Sequence, residues 1–95
     1  MESTSDTAQL QVTIQNKLGL HARPAMSFVD IANSFASQIT VKKGPQSVDG
    51  KSIMQMLMLA ATQGTQLQIE ATGADAPQAL EALRALVVDR KFDEE

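Results

Sequence analysis

The chain has 95 residues, enough for one small domain, and at 43% hydrophobic its core must come mainly from Leu, Ile, Val, Met and Ala, since aromatics are 3% and all are Phe. With no cysteine and a single histidine, disulfides, thiolate catalysis and the usual zinc sites are excluded, and no other metal site is expected. The net charge is −3 and Lys and Arg cluster nowhere beyond Lys42-Lys43 and Arg90-Lys91, which argues against a nucleic-acid footprint.

Residues 1–8 lack periodicity and are expected to form a flexible tail. Met1 to Gln9 is polar and acidic, unlike a signal peptide, and no apolar run reaches the length of a membrane span. The absence of cysteine fits a reducing compartment, so a cytoplasmic protein without membrane insertion is expected. Leu10, Val12 and Ile14 alternate with Gln11, Thr13 and Gln15, the pattern of a half-buried strand. A turn around Gly19 follows. From Ala22 to Phe35 the period becomes helical, with Ala25, Phe28, Val29, Ala32 and Phe35 on one side. Pro24 fits because it lies in the first turn, which puts His21 at or next to the N-cap.

Gln38 to Lys43 alternates again with Ile39 and Val41 inward, Gly44-Pro45 signals a turn, and Gln46 to Asp49 completes a hairpin. Ser52 followed by Gln55 has capping-box spacing and opens a short apolar helix that ends before Gly64. Leu67, Ile69 and Ala71 mark another strand. Asp75, with Pro77 in the first turn and Gln78 at the box position, is expected to cap a last helix. Leu80, Leu83, Leu86 and Val87 form that helix's buried stripe, and Arg84 and Arg90 lie late in it. Each strand has one wet face, so the helices can cover only the other. The predicted class is α+β: an open-faced two-layer β-sandwich, an antiparallel four-stranded sheet with three helices on one face, in the order βαββαβα. The domain is expected over residues 9–91, with an acidic C-terminal tail over 92–95.

The segment Gly19-Leu20-His21-Ala22-Arg23-Pro24-Ala25 carries the strongest chemical signal. A phosphoryl group on imidazole needs an exposed, unprotonated nitrogen and donors for its charge. A helix start supplies free N–H groups and a partial positive charge, worth about 0.3–1 kcal/mol to an anion. Arg23 adds a guanidinium that can reach phosphate oxygens. Taken by position alone, a lone histidine before a helix is more often an ordinary surface residue. The whole heptapeptide, between a strand and an amphipathic helix, makes the functional reading the stronger one.

This heptapeptide resembles the active-site signature of the HPr family, the histidine phosphocarriers of the bacterial phosphotransferase system. Lys51-Ser52-Ile53-Met54 resembles the family's regulatory-serine segment, and Gln63-Gly64-Thr65 and Ala71-Thr72-Gly73-Ala74-Asp75 match further along. The resemblance spans about Leu10 to Arg90. It implies that enzyme I, charged from phosphoenolpyruvate, passes a phosphoryl group to Nδ1 of His21, that Arg23 stabilises it, and that an enzyme IIA-type acceptor receives it. It implies a carrier rather than an enzyme, with no cofactor, monomeric as a shuttle should be. Asn16-Lys17-Leu18-Gly19, Ala25-Met26, Leu57-Met58-Leu59 and the Phe92-Asp93-Glu94-Glu95 ending resemble the nitrogen-related branch, NPr. Lys51-Ser52-Ile53-Met54 is closer to sugar-type carriers under kinase control. The other reading kept is a regulatory binding module of the same fold that acts without phosphoryl transfer.

Ser52 reads first as a helix N-cap. The resemblance makes it also a candidate phosphorylation site for a serine kinase. Ile53, Met54, Met56, Leu57 and Met58 are too many apolar residues for one buried stripe, so some must face solvent. By resemblance, Ile53, Met54 and Leu57 join Ala22 and Met26 as the partner-docking patch around His21. Gly44-Pro45 departs from the Asn-Gly type of turn found in many relatives.

Overall fold

The computed structural model describes residues 7–93. Apolar alternation becomes four strands, β1 (Thr7–Thr13), β2 (Gln38–Lys43), β3 (Gln46–Asp49) and β4 (Gln66–Thr72), and helical periodicity becomes α1 (Ala22–Asn33), α2 (Ile53–Met58) and α3 (Ala76–Arg84). The strands form one antiparallel sheet in the order β1-β4-β2-β3. Its register places Leu10 opposite Ile69, Val12 opposite Leu67, Val41 opposite both Ile69 and Val48, and Ile39 opposite Ala71. Because the side-chain period is two, these residues all face one side.

That side is covered by the helices. α1 buries Pro24, Ala25, Phe28 and Ala32, α2 buries Met56, and α3 buries Ala76, Ala79, Leu80 and Leu83. Ala25, Ala32 and Ala79 are fully buried, and their small side chains let the helix backbones lie close to the sheet while Phe28 fills the middle of the core. The opposite face is polar. Gln9 and Lys42 both bond to Glu70, Gln11 bonds to Gln66, and Gln68 reaches Gln9. This is the expected open-faced α+β sandwich.

Several local details differ from the sequence reading. β1 takes in Thr7 and Ala8, assigned above to the tail, and the remaining tail residues 1–6 lie outside the described residues. α1 stops at Asn33 rather than Phe35, where Ser34 turns its hydroxyl back onto the Ile31 carbonyl at 2.6 Å. The Gly44-Pro45 turn preserves the hairpin: Lys43 pairs with Gln46, and Gly44 alone takes a positive φ of 56°, a position that glycine occupies without penalty.

Asp75 does stand at the N-cap position of α3, but its side chain makes no capping bond. Its carboxylate instead accepts from the Ala36 N–H at 2.8 Å, the Ser37 N–H at 2.9 Å and the Ser37 hydroxyl. Ser37 is buried, so its donors need an acceptor, and Asp75 is the group within reach. The last helix does not run regularly to Arg90. It ends at Arg84, widens into a π-helical turn over Ala85–Asp89 and closes with a left-handed turn over Lys91–Asp93, where all three φ are positive. Arg84 bridges Glu81 and Asp89, and Arg90 pairs with Asp93. Phe92, placed in the acidic tail above, is buried against the core; Glu94 and Glu95 lie outside the described residues. Among the described residues, no helix is long and apolar enough to cross a membrane.

Candidate functional site

His21 is the N-cap of α1. Its backbone is extended (φ −89°, ψ −169°), and its carbonyl accepts the first helical bond, from Ala25 N–H at 2.9 Å. Its side chain makes no capping bond. Ala22 and Arg23 are the first two helical residues and Pro24 the third, so the first turn offers the N–H groups of Ala22 and Arg23 and none from Pro24. The imidazole is half-buried, with Nε2 shielded from solvent. Arg23 is exposed, and its guanidinium makes no hydrogen bond or ion pair among the described residues.

The loop from Ile14 to Leu20 holds this arrangement. It is fastened to the segment that follows α2: Leu20 N–H donates to the Ala61 carbonyl at 2.8 Å, Ile14 N–H to Thr65 at 2.9 Å, and Gly64 N–H to Ile14 at 2.8 Å. At Gly19 a Cβ would fall 2.5 Å from the Ala61 carbonyl oxygen, and φ is +72°, so both space and backbone require glycine.

α2 runs back along α1. The Asn33 amide, at the C-terminal end of α1, bonds the Lys51 carbonyl that begins α2, while the residues after α2 meet the His21 loop. Ser52 therefore lies toward the C-terminal end of α1 and His21 at its N-terminal end. Ser52 is a true N-cap whose hydroxyl accepts from Gln55 N–H at 3.2 Å. The reciprocal half of the box is absent, because the Gln55 side chain accepts from the Asp49 N–H instead. At the other end of α2, Lys43 and Gln46 donate to the carbonyls of Leu59 and Met58, which places a cation where the helix dipole favours one.

The apolar surplus on α2 divides as its count required. Met56 is buried, Ile53 half-buried, and Met54, Leu57 and Met58 exposed, Met54 to 71%. Ala22 and Met26 are exposed on α1, which packs on α2. Two loop residues escaped the sequence reading. Leu18 is 69% exposed in the loop that carries His21, and Asn16 is buried in the same loop. Leu18 was detectable as an apolar residue in a polar turn; nothing local marked Asn16.

A model of the PTS HPr component phosphorylation site matches residues 8–89. The chain is 50% identical over 86 residues to phosphocarrier protein HPr of Pseudomonas aeruginosa, an overlap that covers 90% of this chain and 94% of that one. It is 41% identical over 91 residues to phosphocarrier protein NPr of Proteus mirabilis, covering 94% and 99%. The crystal structure of HPr-C-His from Thermoanaerobacter tengcongensis matches with a TM-score of 0.88 and 43% identity, over 93% of this chain and 98% of that one. Both of these sequence relatives are phosphocarrier proteins by name. The chain belongs to the HPr family of the phosphotransferase system.

Proposed function

We propose that this chain receives a phosphoryl group on His21 from enzyme I, charged by phosphoenolpyruvate, and delivers it to an enzyme IIA-type acceptor, in sugar uptake or nitrogen-related regulation. The observation that carries the reading is the setting of His21: the N-cap residue of α1, beside two first-turn N–H groups and the exposed guanidinium of Arg23. The shielding of Nε2 supports Nδ1 as the receiving atom. Its lone pair attacks phosphorus, the bond from phosphorus to enzyme I breaks, and that electron pair returns to enzyme I. The first-turn donors and Arg23 stabilise the charge on the phosphoryl oxygens, and delivery reverses the same steps.

Ala22, Met26, Ile53, Met54 and Leu57 form the proposed docking patch, and a shuttle of this kind works as a monomer. Ser52 is the proposed target of a serine kinase. Phosphate there adds roughly −1.5 to −2 charge at a helix start, which tolerates it, so its effect falls on partners rather than on the fold.

The test is transfer of label from phosphoenolpyruvate through enzyme I to the wild-type protein and to His21→Ala. Acid-labile label on the wild type that disappears from the variant is the expected result. An unlabelled wild type, with enzyme I active on another carrier, would make the chain a binding module of this fold. Offering the labelled protein to purified sugar-type and nitrogen-type IIA acceptors separates the two branches by rate, and size-exclusion chromatography reads the monomer.

A further inference from the structure

The loop that presents His21 contains a buried polar side chain with an unusual division of its bonds. Asn16 is 3% exposed. Its Nδ2 donates to the Gly19 carbonyl at 2.7 Å, and its own carbonyl accepts the Gly19 N–H at 3.2 Å. The Gly19 carbonyl is also the acceptor for the His21 N–H, at 3.0 Å. Its oxygen is therefore shared between the Asn16 amide and the backbone of the phosphoryl-bearing residue. Asn16 Oδ1, in contrast, is buried and has no donor among the described residues.

Gly19 must be glycine because Ala61 leaves no room for a Cβ, yet glycine is the residue least able to hold a peptide plane by itself. The Gly19–Leu20 peptide on which the His21 N–H is seated is held from both ends, its N–H by the Ala61 carbonyl at 2.8 Å and its carbonyl by the Asn16 amide. Buried polar atoms are nearly always bonded, and an apolar side chain of similar size would avoid the orphaned Oδ1. What the amide supplies and such a side chain would not is its donor half.

We infer that Asn16 is a positioning residue for phosphoryl transfer: its buried amide locks the Gly19 carbonyl and thereby fixes the backbone from which the His21 imidazole projects. The inference rests on the reading of His21 given above.

The test uses Asn16→Leu and Asn16→Asp in the full chain. Asn16→Leu removes both the donor and the orphaned oxygen at similar volume; Asn16→Asp keeps the shape but turns an acceptor toward the Gly19 carbonyl. Asn16→Leu is expected to keep its melting temperature, yet lose about tenfold or more in maximal transfer rate from phosphorylated enzyme I at unchanged KM, as small misplacements of a reacting group do. Asn16→Asp shows the same loss, and in both the NMR signals of the His21 ring and of the Gly19 to His21 amides shift or broaden. A wild-type maximal rate in either folded variant overturns the inference. So does a loss that only tracks the unfolded fraction, or unfolding of both variants, which would make Asn16 a stability residue. If the wild type itself takes no label, the reading of His21 has failed, and the NMR comparison then decides Asn16 alone: unchanged His21 signals overturn it.

Discussion

Arg23 is held by nothing among the described residues, although it stands in the first turn of α1 beside His21. A guanidinium tied to a carboxylate could not swing onto incoming phosphate oxygens, so its freedom is what the proposed transfer requires. Arg23→Ala is expected to slow transfer from enzyme I roughly ten- to a hundredfold, the value of charge-assisted hydrogen bonds of about 1.5–3 kcal/mol. Stability should stay within about 0.5 kcal/mol, because the side chain is exposed and supports no packing. Arg23→Lys should recover only part of the rate, since an ammonium lacks the planar fork. Stopped-flow transfer together with a thermal melt checks both statements. At this scale the site was largely readable from the chain: Pro24 fixed the first helical turn and so put His21 at the cap. Asn16 was not, because it reads as one more polar turn residue until the distant Ala61 to Thr65 segment folds over it.

α2 shows how an element can be specified from two directions. Ser52 starts it as its spacing with Gln55 predicts, but the Gln55 side chain turns away to Asp49, a partner that exists only once the β2–β3 hairpin has formed. Its apolar excess was also legible, though which residues stay exposed was not; that depends on where α1 and the sheet lie. Met54, the most exposed of the large apolar residues on α2, is the clearest case. Met54→Glu is expected to leave the melt unchanged and raise KM for enzyme I about tenfold, ~1.4 kcal/mol of docking energy. Equal KM values for the two proteins would remove Met54 from the docking patch.

α3 gives the opposite lesson. The sequence offers Asp75 as a cap with Gln78 at the box position, and the carboxylate is taken instead by Ser37 and Ala36 across the fold. The hydrogen bond from the Ser37 hydroxyl, then that from Ala36, holds the Asp75 carboxyl below its ordinary value. A carboxyl depressed in the native state stabilises the fold above its unfolded pKa, about 3.9, and that contribution fades as pH drops through the native value. Asp75→Asn should therefore lower the melting temperature at pH 7, and the gap from wild type should close as the pH falls below roughly 4. A gap independent of pH would show that the charge contributes nothing.

The molecule as a whole has two unlike sides. Helices, the His21 loop and the exposed methionines share one; a lattice of glutamines with Lys42 and Glu70 fills the other. The order of elements, and the single wet face on each strand, could be read from alternation alone. The order of strands in the sheet could not, because alternation says which face a residue takes and nothing about its neighbour. That order has a consequence for how the protein is made. β1 lies at one edge and its sole neighbour is β4, so that Thr7 is opposite Thr72. During synthesis β1 leaves the ribosome with Leu10 and Val12 uncovered and waits for its partner strand, which ends only at Thr72. β2 and β3 can close their hairpin early, but the sheet cannot be joined across its middle until β4 arrives. Closing so long a loop before any reward is slow compared with local pairing. Closing the sheet is accordingly a late step, and the loop bearing His21, which is anchored on Ala61 and Thr65, cannot be completed before that distant part of the chain is in place.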